Sequence, residues 1–259
     1  MTVGANSVSE QVPVQVFGGP TALIEYGGLR FLTDPTFDEP GYYPGPGGSP
    51  GLTKIAPPSQ NLTDLGHVDA VLLSHDEHAD NLDNSGRKLL TEVPLTLTTP
   101  SGAGRLGGTA KGLAPWETVE LARPDGGVVT VTGAPALHGP EGAEKVTGDV
   151  VGFVLTAQDL PTVYVSGDNA SLDAVRQVAE RFGPVDTAVL FAGAPRLKPV
   201  FDGALLVLDS ALAVEAAKIL DARTVVAAHL DSWDHFTESR DDVVAAFAAA
   251  GLADRLRPA

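Results

Sequence analysis

The chain has 259 residues, 17 basic against 33 acidic, for a formal net charge of −16. A content of 43% hydrophobic and 19% charged residues excludes a disordered chain and permits a sizeable core. The acidic balance argues against nucleic acid and against an anionic membrane surface, and the absence of cysteine excludes disulfides, thiolate metal sites and a cysteine nucleophile.

Met1 to Val14 has no basic flank and no apolar core, which predicts no signal peptide. Val14 to Phe17 and Thr21 to Tyr26 read as strands, and Gly27-Gly28 marks a hairpin turn into Arg30 to Thr33. Asp34-Pro35 stops that strand, and residues 36 to 60 read as a long Gly- and Pro-rich loop. Ala70 to Leu73, Thr162 to Val165 and Thr224 to Ala228 are short apolar runs rich in β-branched residues. They end at His75, Asp168 and His229, so each strand stops at a side chain able to bind a metal. Between Leu95 and Leu155 the pattern is mostly β, with runs at 95–98, 117–121, 128–132 and 151–156.

Helices are predicted from Asp83 or Asn84 to Leu90, from Leu172 to Phe182 capped by Ser171, and from Ala211 to Leu220 opened by Asp209 or Ser210. Another runs from Thr237 to Ala250, and Gly102 to Gly108 reads as a short helix start. The longest apolar run, Val243 to Ala253, is about half of what a membrane span requires. No linker or repeat divides residues 1–259, so one domain is expected, with the cytoplasm as the default location and the oligomeric state open.

Six histidines stand at 67, 75, 78, 138, 229 and 235. The densest polar stretch runs from Ser74 to Asp83 and holds His75, His78 and Asp80 directly after a strand. Imidazole nitrogen and carboxylate oxygen suit zinc, or a harder ion such as manganese. Taken alone, the stretch reads equally well as a solvated helix start. The further placement of His138, Asp168 and His229 at strand ends favours a metal centre.

The order of that cluster, His138, Asp168 and His229, together with Phe31-Leu32-Thr33-Asp34-Pro35 and Leu73-Ser74-His75-Asp76, resembles the metallo-β-lactamase fold superfamily. It looks most like the branch around the ascorbate-6-phosphate lactonase, and the likeness runs from about Val14 to about Phe247. The resemblance implies an α+β fold, a four-layer αββα sandwich, and one or two divalent ions at one edge of the sheets: zinc first, manganese or iron as alternatives. It implies a hydrolase. Because a bound divalent ion lowers the pKa of its water, the expected nucleophile is a metal-bound hydroxide, and the expected substrate is a small-molecule ester, lactone or phosphodiester.

His138, Asp168, His229 and His75 match the family's ligands, and the rest of the His-x-His-x-Asp-His motif departs. Read without a gap, Glu77, Ala79 and Asp80 replace its second histidine, aspartate and last histidine. Read with one inserted residue, His78 and Asp80 fill the first two of those positions and Asn81 replaces the last histidine. The inserted reading is preferred because it keeps an acid and two imidazoles together. It assigns His75, His78 and His138 to a first ion, Asp168 to a bridge, and Asp80 with His229 to a second. Asp80 is otherwise the general base.

His235 is open between a proton donor to the leaving group or a stabiliser of an oxyanion, and a packed corner bonded to an aspartate. Asp34 is open between a partner of a ligating histidine and a turn residue, and His67 reads as structural. Tyr42 and Tyr43 are either a substrate lid or loop anchors, and Trp116 either core or rim. Arg196 and Lys198 are either contacts for an anionic substrate or ordinary surface charge. The competing functions are a non-hydrolytic, metal-dependent tailoring enzyme of specialised metabolism and a metal-free binding protein that keeps the fold.

Overall fold

The computed structural model describes residues 11–45 and 51–257. The expectation of no signal peptide falls mostly outside the described residues, as does part of the 36–60 loop. The chain opens as a meander of β1 (Val14–Gly18), β2 (Thr21–Tyr26) and β3 (Leu29–Thr33). Gly27 and Gly28 turn it with φ of 62° and 78°, the left-handed pair a two-residue hairpin demands. There follow β4 (Gly41–Tyr43), β5 (Leu52–Lys54), β6 (Ala70–Leu72), α1 (Asn84–Leu89), β7 (Thr96–Thr98), α2 (Pro100–Leu106) and β8 (Ala110–Gly112).

The second half holds β9 (Thr118–Ala122), β10 (Val128–Pro135), α3 (Glu144–Thr147), β11 (Val151–Ala157) and β12 (Val163–Val165). It continues through α4 (Leu172–Phe182), β13 (Thr187–Phe191), α5 (Ser210–Ile219), β14 (Thr224–Ala228) and α6 (Arg240–Ala249). Two six-stranded sheets result, in the orders β1-β2-β3-β6-β7-β8 and β14-β13-β12-β11-β10-β9, with β4-β5 as a separate hairpin. In each sheet an antiparallel meander passes into parallel strands joined through helices.

Alternation along the strands sorts side chains into layers. Phe31, Leu72, Phe153, Val189 and Val226 point between the sheets and form one buried core. Leu32 and Val71, on the opposite face of the first sheet, pack with Leu89 and Leu90 of the α1 region. Val154, Leu190 and Val225, on the outer face of the second, pack with Val178 of α4, Val214 of α5 and Phe247 of α6. The result is the expected four-layer αββα sandwich. Among the described residues no helix is long and apolar enough to cross a membrane.

Local differences have local causes. The 36–60 stretch contains the β4–β5 hairpin, anchored where Ile55 donates its N–H to the Ser232 carbonyl at 2.8 Å. The last helix begins at Arg240, not after Thr237, because the Thr237 hydroxyl donates to the Ala194 carbonyl at 2.6 Å while Ser239 and Asp242 form a capping box. α2 starts at Pro100, ahead of Gly102, because the Thr99 hydroxyl accepts from the Gly102 N–H at 3.0 Å.

Candidate metal centre

Strand ends deliver the polar side chains to one edge of the two sheets. The first sheet supplies the loop after β6, and the second supplies His138 after β10, Asp168 after β12 and His229 after β14. The β6 loop closes a tight turn in which Asn81 and Leu82 donate their N–H groups to the His78 carbonyl at 3.2 and 3.0 Å.

His75, His78 and His138 form one group whose nitrogens lie within 4.8 Å of one another. His75 Nε2 lies 2.7 Å from His78 Nδ1, a separation that two bare lone pairs do not tolerate and that a shared proton or cation resolves. His138 Nδ1 donates to the Leu206 carbonyl at 2.8 Å, which fixes the tautomer and leaves Nε2 facing Asp168 Oδ2 at 3.7 Å. Burial, reinforced by His78 and His138, holds the His75 imidazole well below its ordinary range. Burial and then His138 hold His78 down at about 4. Both are therefore neutral at pH 7, the state a ligand requires.

Asp80, Asp168 and His229 form a second group of the same tightness. His229 Nε2 lies 3.4 Å from Asp80 Oδ2 and 3.7 Å from Asp168 Oδ1. Its ring lies parallel to Phe191, 5.5 Å away between centroids, with Phe236 at 4.1 Å. His229 is a non-glycine residue at φ 62°, a conformation that strains the backbone to aim this ring. Burial disfavours its charged form, but Asp168 and Asp80 outweigh burial and push it upward. Asp80 is buried as well, yet His235 and His229 hold its carboxyl well below the usual range.

The donor set fits a divalent ion. Both ring nitrogens of His229 and Asp80 Oδ1 are buried with no hydrogen-bond partner, an expensive arrangement for polar atoms unless something binds them. Three imidazoles beside two carboxylates and a fourth imidazole are a nitrogen and oxygen set suited to borderline metals.

The remaining expectations resolve individually. His235 is buried and donates from Nε2 to Asp80 Oδ2 at 3.0 Å. Asp34 is buried and accepts from both the backbone and the hydroxyl of Ser74. Burial pushes the Asp34 carboxyl up to about 8, the Ser74 hydroxyl pulls it back, and Asp168 adds to the rise. Glu77 pairs with Arg105 and not with the histidines, which disfavours the ungapped reading of the motif. His67 is exposed and bonded to Asp69 at 3.0 Å. Trp116 is partly buried against Phe182, with the Arg181 guanidinium 5.0 Å over its ring.

A cavity of about 850 Å³ opens over the centre and is lined by His78, Asp80, His138 and His235. Tyr42 and Tyr43 line it from the hairpin; Tyr42 is 68% exposed, while Tyr43 donates to Asp38 at 3.0 Å and packs on Trp233. Arg196 and Lys198 do not line the cavity, and Arg196 donates to the Gly203 carbonyl at 3.0 Å. The cations that do line it are Arg87 of α1 and Lys145 of α3. Sequence reading missed both, because neither stands at a strand end.

Comparison with known proteins accords with this geometry. The family model described as "Beta-lactamase superfamily domain" matches residues 29–230, and the chain belongs to that superfamily. It is 26% identical over 243 residues to N-acyl-phosphatidylethanolamine-hydrolyzing phospholipase D 1 of Caenorhabditis elegans, covering 86% of this chain and 66% of that one. It is 25% identical over 257 residues to a metal-dependent hydrolase of Anaeromyxobacter sp. (strain K), covering 88% and 81%. The solved isothiocyanate hydrolase from Delia radicum gut bacteria superposes with a TM-score of 0.78 at 24% identity, covering 95% of both chains. The protein is a metallo-hydrolase of the superfamily; the likeness to the lactonase branch rests on the sequence motifs alone.

Proposed function

We propose that the protein hydrolyses a small-molecule ester, lactone or phosphodiester in this cavity. The observation that carries the proposal is the pair of donor groups sharing Asp168 beneath a cavity of small-molecule size. His75, His78 and His138 would hold one ion, and Asp80 and His229 a second, with Asp168 between them. Zinc suits the imidazoles best, and manganese or iron would fit the oxygens. A divalent ion bound there supplies a Lewis acid for the substrate oxygen and lowers the pKa of water from 15.7 toward about 7.

The chain's own residues do the rest. With the second position empty, Asp80 takes the proton of the attacking water at Oδ1, the oxygen without a hydrogen-bond partner. His235 donates from Nε2 to Asp80 Oδ2, and both residues line the cavity, so a proton on this pair has a path to the leaving group. Leu52, Leu82, Leu197 and Val200 give the cavity apolar walls that exclude water around the substrate. The proteins it resembles are named for hydrolysing a phospholipid and an isothiocyanate, two different electrophiles.

The test is turnover of p-nitrophenyl acetate, a set of lactones and bis-p-nitrophenyl phosphate by metal-loaded protein, with and without chelator. Turnover of at least one, lost with chelator and in His75→Ala, is expected. Metal-loaded protein inert toward all three classes would overturn the proposal.

A further inference from the structure

We infer that the two donor groups are unequal: the imidazole group binds a borderline ion tightly, while the Asp80, Asp168 and His229 group binds a second, harder ion weakly, because Asn81 spends its Nδ2 on Asp168 and has left to offer only a neutral amide oxygen, a weaker ligand than imidazole. The inference rests on the metal-dependent reading above and is independent of which bond is hydrolysed.

Asn81 is fully buried beside the second group. Its Nδ2 donates to Asp168 Oδ1 at 3.0 Å and lies 3.4 Å from both Asp34 Oδ1 and Ser74 Oγ. Turning the carboxamide over would set its oxygen against two carboxylate oxygens, so this orientation is fixed. The amide oxygen is left without a hydrogen-bond partner, and the N–H₂ takes up the carboxylate oxygen nearest His229. His235 likewise occupies Asp80 Oδ2. Each carboxylate of the second group thus has one oxygen already engaged, and only one imidazole stands with them.

The first group is built the other way. His138 and His75 have their Nδ1 atoms against Leu206 and Ser74, which turns both Nε2 atoms inward. Asp168 Oδ2, the oxygen that Asn81 does not touch, faces this group. Three nitrogens and one oxygen suit zinc or iron, while one nitrogen and two oxygens suit manganese or magnesium. A hydrogen bond on a ligating oxygen also withdraws charge from the ion it faces.

The experiment is calorimetric titration of chelator-stripped, full-length protein with Zn²⁺ and with Mn²⁺, with electron paramagnetic resonance counting bound Mn²⁺. One zinc is expected to bind at least tenfold tighter than the second, and Mn²⁺ is expected to compete for the weaker position only. Asn81→His is expected to tighten the second zinc at least tenfold and leave the first unchanged. If that variant does not fold, the isosteric Asn81→Asp is expected to tighten the second ion in the same way. Two zinc ions of equal affinity in the native protein, or folded variants with an unaltered second affinity, would overturn the inference. Graded binding without turnover of any ester, lactone or phosphodiester would overturn only the proposed reaction.

Discussion

Asp34 and His75 are joined through one hydroxyl: Ser74 Oγ donates to Asp34 Oδ1 at 2.6 Å and lies 3.0 Å from His75 Nδ1. A hydrogen-bonded group behind a ligating histidine fixes the tautomer and the orientation of the ring, and here Asp34 holds the hydroxyl that does so. Ser74→Ala is therefore expected to weaken the first ion about 10- to 100-fold without unfolding the protein. Competition against a chromogenic chelator measures this, and unchanged affinity would reduce Asp34 to a turn residue.

His138→Ala removes one nitrogen of the first group and the Leu206 anchor together. Native protein purified without chelator is expected to carry about one or two equivalents of metal, two being the number of donor groups built like catalytic sites. The variant is expected to lose at least one. Elemental analysis of the two in parallel reads the difference, and a folded native protein that takes up no zinc, manganese or iron would point to the metal-free binding protein.

Acid should destabilise the metal-free protein through His78. Its pKa is about 4 in the fold against an ordinary 6.5, so between those values the unfolded chain binds more protons. The His78 contribution is intact above pH 6.5 and is lost as pH falls toward 4, by at most about 3 kcal/mol. Asp34 works in the opposite sense: its carboxyl is pushed up to about 8, so the fold holds the extra proton and its contribution declines as pH rises. Urea midpoints of native protein and His78→Gln between pH 4 and 7 separate the two. The variant is expected to lose less stability on acidification, and parallel curves would contradict the assignment.

Lys54 and Asp83 form an ion pair at 3.3 Å, with side chains 1% and 0% exposed. Lys54 Nζ also donates to the Thr36 carbonyl at 2.9 Å, and Asp83 caps α1 through the Gly86 N–H. The pair bolts the cavity hairpin to the helix that follows the metal loop. Lys54→Met leaves a buried carboxylate unpaired and is expected to cost about 3–5 kcal/mol. Lys54→Met with Asp83→Asn is expected to cost less than the single change, a non-additivity that urea denaturation resolves.

The sheets and their order of use were legible because short apolar runs stop abruptly at polar residues. Ala70 to Leu73, Thr162 to Val165 and Thr224 to Ala228 all form strands, and the side chains beyond them meet. Helix α4 was readable to the residue, since Ser171 caps it and Gly183 ends it. What escaped was decided by long-range partners. Ser239 displaces Thr237 as a cap only because Ala194 lies near, and the three-residue strands β4, β5 and β8 lack a pattern long enough to read. Arg87 and Lys145 reach the cavity from helices whose orientation no local spacing encodes.

Each donor group draws on both halves of the sandwich: His75, His78 and Asp80 follow a strand of the first sheet, and His138, Asp168 and His229 follow strands of the second. In a chain without cysteine, an ion in either group would act as a reversible crosslink between the halves. Resistance to unfolding would then track free metal, rising by about 4 kcal/mol at a thousandfold excess over the dissociation constant. Scarcity of metal would weaken the scaffold along with the chemistry.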